Sequence, residues 1–174
     1  MTDPRYPIGK FQPHDSIDDV QRSALIASIA EAPAMLRLAV KGLSDAQLDT
    51  PYRDGGWTVR QVTHHLPDSH MNAYFRTKLA LTENEPTIKP YEENLWAQLI
   101  DGRTAPVEPS LTLLESLHVR WVMLLRSMKA PDFARTFRHP ERGLRNLDWL
   151  LQLYAWHGRH HVAHTATLKT AQKW

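Results

Sequence analysis

The chain has 174 residues, 42% hydrophobic and 23% charged, enough to bury a core as one domain over residues 1–174. Its 21 basic residues are scattered without a run of five or more, and with 19 acidic residues they leave a net charge of +2, so no nucleic-acid partner is expected. Cysteine is absent, which excludes disulfides, thiolate ligands and a cysteine nucleophile; with no signal-type start and no apolar run of bilayer length, a cytoplasmic protein without a membrane partner is expected.

Helical patterns dominate in chain order, and strand-type alternation is nearly missing. A first helix opens near Ser16-Ile17-Asp18-Asp19 and carries Val20, Leu25, Ile26 and Ile29, then Met35, Leu36, Leu38 and Val40. Pro33 should kink or split it, because proline lacks the amide donor and crowds the preceding turn. Gly42 and Ser44 end it, and Ser44-Asp45-Ala46-Gln47 reads as a capping box for a short helix. Thr58-Val59-Arg60-Gln61 is a second capping box, opening a helix to about Leu81 with an expected kink at Pro67. A shorter helix is expected over 92–100, and a loop over 101–109. Ser110 is the expected cap of a helix carrying Leu111, Leu114, Leu117, Trp121, Leu124 and Leu125. Pro140-Glu141-Arg142-Gly143 marks a turn, with room for a small hairpin. Asn146 caps the last helix, which should run to about Thr170. The predicted class is all-α: an antiparallel four-helix bundle with extra short helices.

Six of the ten histidines fall in two clusters, His64-His65 and His157 through His164. The second contains two i,i+4 pairs, His157/His161 and His160/His164, each on one helix face. Two such imidazoles plus a third from another helix would form a three-nitrogen metal site with an open position for water or substrate. On a helical wheel His161 sits near the centre of the last helix's apolar stripe, and His157 lies about 50° to one side. His160 lies more than about 100° away and is expected in solvent. In the second helix His65 and His70 flank the stripe, so both are possible third ligands; His64 points away. A lone buried histidine is usually only a hydrogen-bonded core residue. The paired spacing is what lifts these above that reading.

These segments resemble the DinB superfamily, in particular its YfiT-like branch. The resemblance rests on Tyr6-Pro7-Ile8-Gly9, on residues 48–62 with Asp54-Gly55-Gly56-Trp57-Thr58-Val59-Arg60-Gln61, and on His64-His65-Leu66-Pro67-Asp68-Ser69-His70. Leu117-His118, Arg120-Trp121 and Trp156-His157 through His164 complete it. Pro67 departs from the pattern, which usually has a helix-friendly residue there. The resemblance implies a four-helix bundle, a homodimer, and a mononuclear site formed by His65, His157 and His161. It also implies a metal-dependent hydrolase, or alternatively a transferase of low-molecular-weight thiols, acting on a small-molecule substrate. A non-catalytic, stress-linked metal-binding module is the remaining alternative.

One divalent transition metal per chain is expected. Nitrogen-only ligation suits zinc first, with nickel possible. Asp68, one turn after His65, and His164, one turn after His161, are candidate proton-transfer groups. Asp68 as a solvated helix-face carboxylate is an equal competitor. Arg120 is a candidate for a substrate carboxylate, against a surface ion pair.

Overall fold

The computed structural model describes residues 3–174. Four long helices form the body: α1 (Asp19–Val40), α3 (Val59–Thr82), α6 (Glu108–Ser127) and α8 (Leu147–Gln172). Short helices α2 (Asp45–Leu48), α4 (Glu93–Trp96), α5 (Ile100–Thr104) and α7 (Ala130–Phe133) decorate the connections. A two-stranded antiparallel hairpin, β1 (Thr136–His139) and β2 (Gly143–Asn146), pairs Thr136 with Asn146 and His139 with Gly143 just before α8.

Local chemistry explains most boundaries. Asp18 and Gln21 close a capping box at α1, Ser44 and Gln47 at α2, and Thr58 and Gln61 at α3, so each start has two backbone donors satisfied reciprocally. Asn146 accepts from the Trp149 amide at 2.9 Å and starts α8. Three boundaries differ from expectation. The helix expected over 92–100 is only the short α4, and Ile100 already opens α5. The segment expected as loop over 101–109 contains α5 and the first residues of α6. Ser110 lies inside α6 rather than capping it; the helix begins at Glu108, with Pro109 in a first-turn position where a missing amide costs nothing. Both prolines are housed within continuous helices, since packing on the bundle outweighs one lost hydrogen bond at each.

Contacts between helices fix their directions. Near their starts α1 and α8 are joined by Arg22 and Asp148 at 2.7 Å, and near their ends by Lys169 Nζ to the Lys41 carbonyl at 3.5 Å, so they run parallel. Likewise α3 and α6 are parallel, joined by His64 to Ser110 at 2.7 Å and by Trp121 Nε1 to Thr77 Oγ1 at 3.2 Å. The antiparallel neighbours are α1 with α6, through Arg37 and Glu108 at 2.8 Å, and α3 with α8, through Ser69 and Tyr154 at 3.3 Å. The long connection over residues 83–107 is what allows α3 and α6 to run the same way.

The core divides along the bundle. One part gathers Ile29, Trp121, Phe137, Leu151 and Tyr154; the other gathers Leu36, Val62, Leu66, Leu114 and Leu168. Histidines fill the layer between them. One helix, α1, has an 18-residue window of mean hydropathy 1.5, so the chain does contain a stretch apolar and long enough to cross a membrane, contrary to the sequence reading. In this fold Ile26, Ile29, Ala32, Leu36 and Val40 of that helix are buried in the bundle.

Candidate metal centre

Three ring nitrogens, one each from His65, His157 and His161, lie within 4.8 Å of one another. His65 comes from α3, one turn past its capping box, and His157 and His161 from successive turns of α8. The His65 and His157 Nε2 atoms are 3.2 Å apart. That matches the edge of a tetrahedron with metal–nitrogen bonds of about 2.0–2.1 Å. His161 Nδ1 is buried and has no hydrogen-bond partner. Burial holds the His65 imidazole down to about 3, with the neighbouring His160 adding to the effect. Burial and neighbouring imidazoles push His157 and His161 well below the ordinary histidine range. All three rings are therefore neutral at physiological pH, the state in which an imidazole can bind a metal. No carboxylate among the described residues joins this cluster.

A line of histidines leads away from the triad into the core. His157 Nδ1 lies 3.2 Å from His70 Nε2, and His70 Nδ1 lies 2.8 Å from His118 Nε2. His118 Nδ1 lies 2.7 Å from the Ile29 carbonyl. That oxygen can only accept, so His118 carries its proton on Nδ1. Burial holds His118 down to about 4 and His70 well below its usual range, so both are neutral. Each neutral ring then accepts at Nε2 and donates at Nδ1. His157 Nδ1 donates in turn, and its Nε2 lone pair points to the triad. The Ile29 carbonyl is free to end this line because Pro33, four residues on in α1, has no amide hydrogen to give it.

An aromatic wall covers the other side. The turn at Gly55 (φ 62°) and Gly56 brings Trp57 back over the site. A Cβ on Gly56 would sit 2.7 Å from Arg53 Cγ. The Trp57 ring lies 4.7 Å from that of His65, and Tyr52 stacks on His164 at 4.0 Å. A cavity of about 660 Å³ opens between this wall, the hairpin and α8, and His157 and His161 line it.

The remaining sequence candidates fall in different places. His164 lines the cavity, and its Nε2 lies 3.3 Å from the Arg5 carbonyl; burial holds it down to about 4. Asp68 is half-buried and does not line the cavity. Burial and the nearby Asp101 push its carboxyl up to about 6. Arg120 is exposed on α6 with its guanidinium 5.8 Å from the Tyr74 ring. That position does not line the cavity, and Arg120 makes no ion pair among the described residues. His64, expected to point away, hydrogen-bonds Ser110 and the Ala105 carbonyl and is buried against α5 and α6. His160, expected in solvent, is only 7% exposed. It stacks on Trp156 at 4.2 Å, and Tyr6 packs near it at 6.2 Å. The N-terminal segment causes the burial: Trp156 Nε1 donates to the Gly9 carbonyl and the His14 amide to Gln152, so residues 5–14 strap the back of α8.

Residues 28–165 match the DinB superfamily. The chain belongs to that superfamily. A Bacillus cereus relative is 53% identical over 174 residues, covering 100% of both chains, and is named "Putative metal-dependent hydrolase". A relative from Bacillus thuringiensis subsp. konkukian has the same identity, 53%, and the same coverage. Among solved structures, YfiT from Bacillus subtilis is 49% identical, covers 98% of both chains and superposes with a TM-score of 0.96. It is described as "a probable metal-dependent hydrolase with an unusual four-helix bundle topology". In this DinB chain's own bundle the parallel neighbours are α1 with α8 and α3 with α6.

Sequence reasoning gave no role to two buried residues of this DinB chain, one behind the triad and one at the cavity wall. His118 falls within the apolar stripe of α6 between Leu114 and Trp121, a place where a polar ring signals a buried partner. Arg76 lies on the same α3 face as His65, and a wheel alone cannot separate it from a solvated arginine.

Proposed function

We propose that the protein is a metal-dependent hydrolase whose ion is held by His65, His157 and His161. The observation that carries this reading is the convergence of three neutral imidazoles, two of them, His157 and His161, at the wall of an open cavity, with no fourth histidine or carboxylate among the described residues to close the set. A divalent ion there would supply Lewis acidity and an acidified water. The protein's own residues hold and orient. Ile29, His118 and His70 fix the tautomer of His157, and Trp57 covers His65. His164 lies at the cavity wall one turn beyond His161, where it could relay a proton. Asp68 fits a proton-transfer role poorly, because its carboxylate is off the cavity.

Zinc is the expected ion and nickel a competitor, since three imidazoles suit both. A single domain over 1–174 and a homodimer fit the same reading. Leu95 (65% exposed), Leu99 and Ile100 (76% exposed), gathered in one short stretch, support a partner surface.

The test is metal content of tag-free protein beside His65→Ala and His157→Ala, followed by ester and amide substrate panels run with and without added thiol. About one equivalent in wild type and near none in the variants is expected, with hydrolysis following metal content. Full turnover in a metal-free variant refutes the reading. Turnover that requires the thiol makes the site a transferase centre instead.

A further inference from the structure

The cavity contains a buried cation that the metal centre does not use. Arg76 is only 9% exposed and lines the cavity on α3. Its guanidinium has five donors. The structure gives it one bond, Nη2 to the Lys89 carbonyl at 3.3 Å, and leaves Nε buried without a partner. None of the ion pairs among the described residues includes it. Glu92, Glu93 and Glu141 share the cavity wall, yet none pairs with it. A buried guanidinium without a counter-charge is costly, and the usual reason to keep one is an anion that arrives from outside. A second polar group is also waiting: the Tyr91 hydroxyl on the same wall is buried and without a partner. By contrast Arg60, equally buried, is fully engaged by Asp45, Asp49 and the Ala105 carbonyl.

We infer that Arg76, with Tyr91 on the same cavity wall, binds a carboxylate of the substrate while the reacting group lies at the histidine triad. A planar fork paired with one hydroxyl fits a carboxylate monoanion. Helix α3 sets the reach. His65 and Arg76 are eleven residues apart on one face, about 16 Å along the axis. The longer arginine side chain, where it leans back toward the helix N-terminus, would make the gap somewhat shorter than this. The substrate class is an amphiphilic acid with its reacting bond several bonds from the carboxylate, such as an N-acyl peptide. This inference rests on the proposed metal centre only for where the reacting group sits; the carboxylate contact stands without it.

The experiment is calorimetric binding of N-benzoylglycine and its di- and triglycine homologues, each beside its C-terminal amide. The proteins are zinc-loaded wild type, Arg76→Gln and Arg76→Lys, together with His161→Ala. In wild type one acid should bind about 10- to 100-fold more tightly than its amide. Arg76→Gln should erase that preference while retaining zinc, and Arg76→Lys, which keeps the charge, should retain part of it. The preference should survive in His161→Ala, which separates this site from the metal. Acids that bind no better than amides in wild type overturn the inference, and so does a preference that survives Arg76→Gln. A preference lost in His161→Ala and kept in Arg76→Gln places the carboxylate on the metal; this overturns the role of Arg76 and leaves the metal centre standing.

Discussion

Replacing His118 with phenylalanine tests the histidine line at its far end, two rings away from the triad. The substitution removes the acceptor at 2.8 Å from His70 Nδ1 and the donor at 2.7 Å from the Ile29 carbonyl. His70 then has two choices. It can keep a buried, unpaired Nδ1–H, or move its proton to Nε2 and force His157 to carry its own proton on the nitrogen that faces the triad. Binding zinc requires the first state. The penalty is that of one unsatisfied buried donor, about 1–3 kcal/mol. Zinc affinity should therefore fall about 5- to 150-fold, read by competition with a chelator at neutral pH. Glutamine in place of His118 can donate to Ile29 and accept from His70, so His118→Gln should recover most of the loss. Imidazole nitrogen NMR of the metal-free wild type should find His118, His70 and His157 protonated at Nδ1, the minor form of free histidine. Wild-type zinc affinity in His118→Phe, or Nε2 protonation of His70 in wild type, would refute the tautomer argument.

Three further outcomes are expected. Acid should destabilise the metal-free protein. His65, held to about 3, and His118, held to about 4, stay neutral when folded, while the unfolded chain protonates them near 6.5. Stability is thus lost as pH falls below 6.5, by up to about 1.4 kcal/mol per pH unit for each ring. Asp68, raised from 3.8 to about 6, acts in the opposite sense, losing stability as pH rises through that window, but it is one group against several. A urea midpoint at about pH 5 equal to that at neutral pH would contradict this balance. Gly158→Val should cost about 1–3 kcal/mol and weaken metal binding, because a Cβ there already sits 3.0 Å from Ala32 and 3.5 Å from the His70 ring. Thermal unfolding unchanged by the valine would show that α1 and α8 can separate freely at this point. Arg60→Ala should lower stability by about 1–3 kcal/mol through loss of its bonds to Asp45, Asp49 and Ala105, with zinc content unchanged. Loss of zinc in this variant would mean that α2 and α5 hold the triad in place.

Local pattern along the chain was enough to place the helices and to single out the paired histidines. Caps and apolar periodicity are local, so Thr58-Gln61, Ser44-Gln47 and Asn146 predicted their helix starts, and i,i+4 spacing joined His157 to His161. The wheel left His65 and His70 open as the third member, and the family resemblance supplied His65. What the remaining rings face depends on which segments pack against them. His160 reads as solvent-facing on a wheel, but a strap more than a hundred residues upstream covers it. His118 and His70 are distant in sequence and meet because α3 and α6 run parallel, a direction that capping and periodicity do not encode. Pro33 reads as a helix breaker along the chain. In the bundle the amide it lacks frees the Ile29 carbonyl for a ring on α6, because a backbone acceptor left unpaired by its own helix can be satisfied only by whatever the fold brings against it.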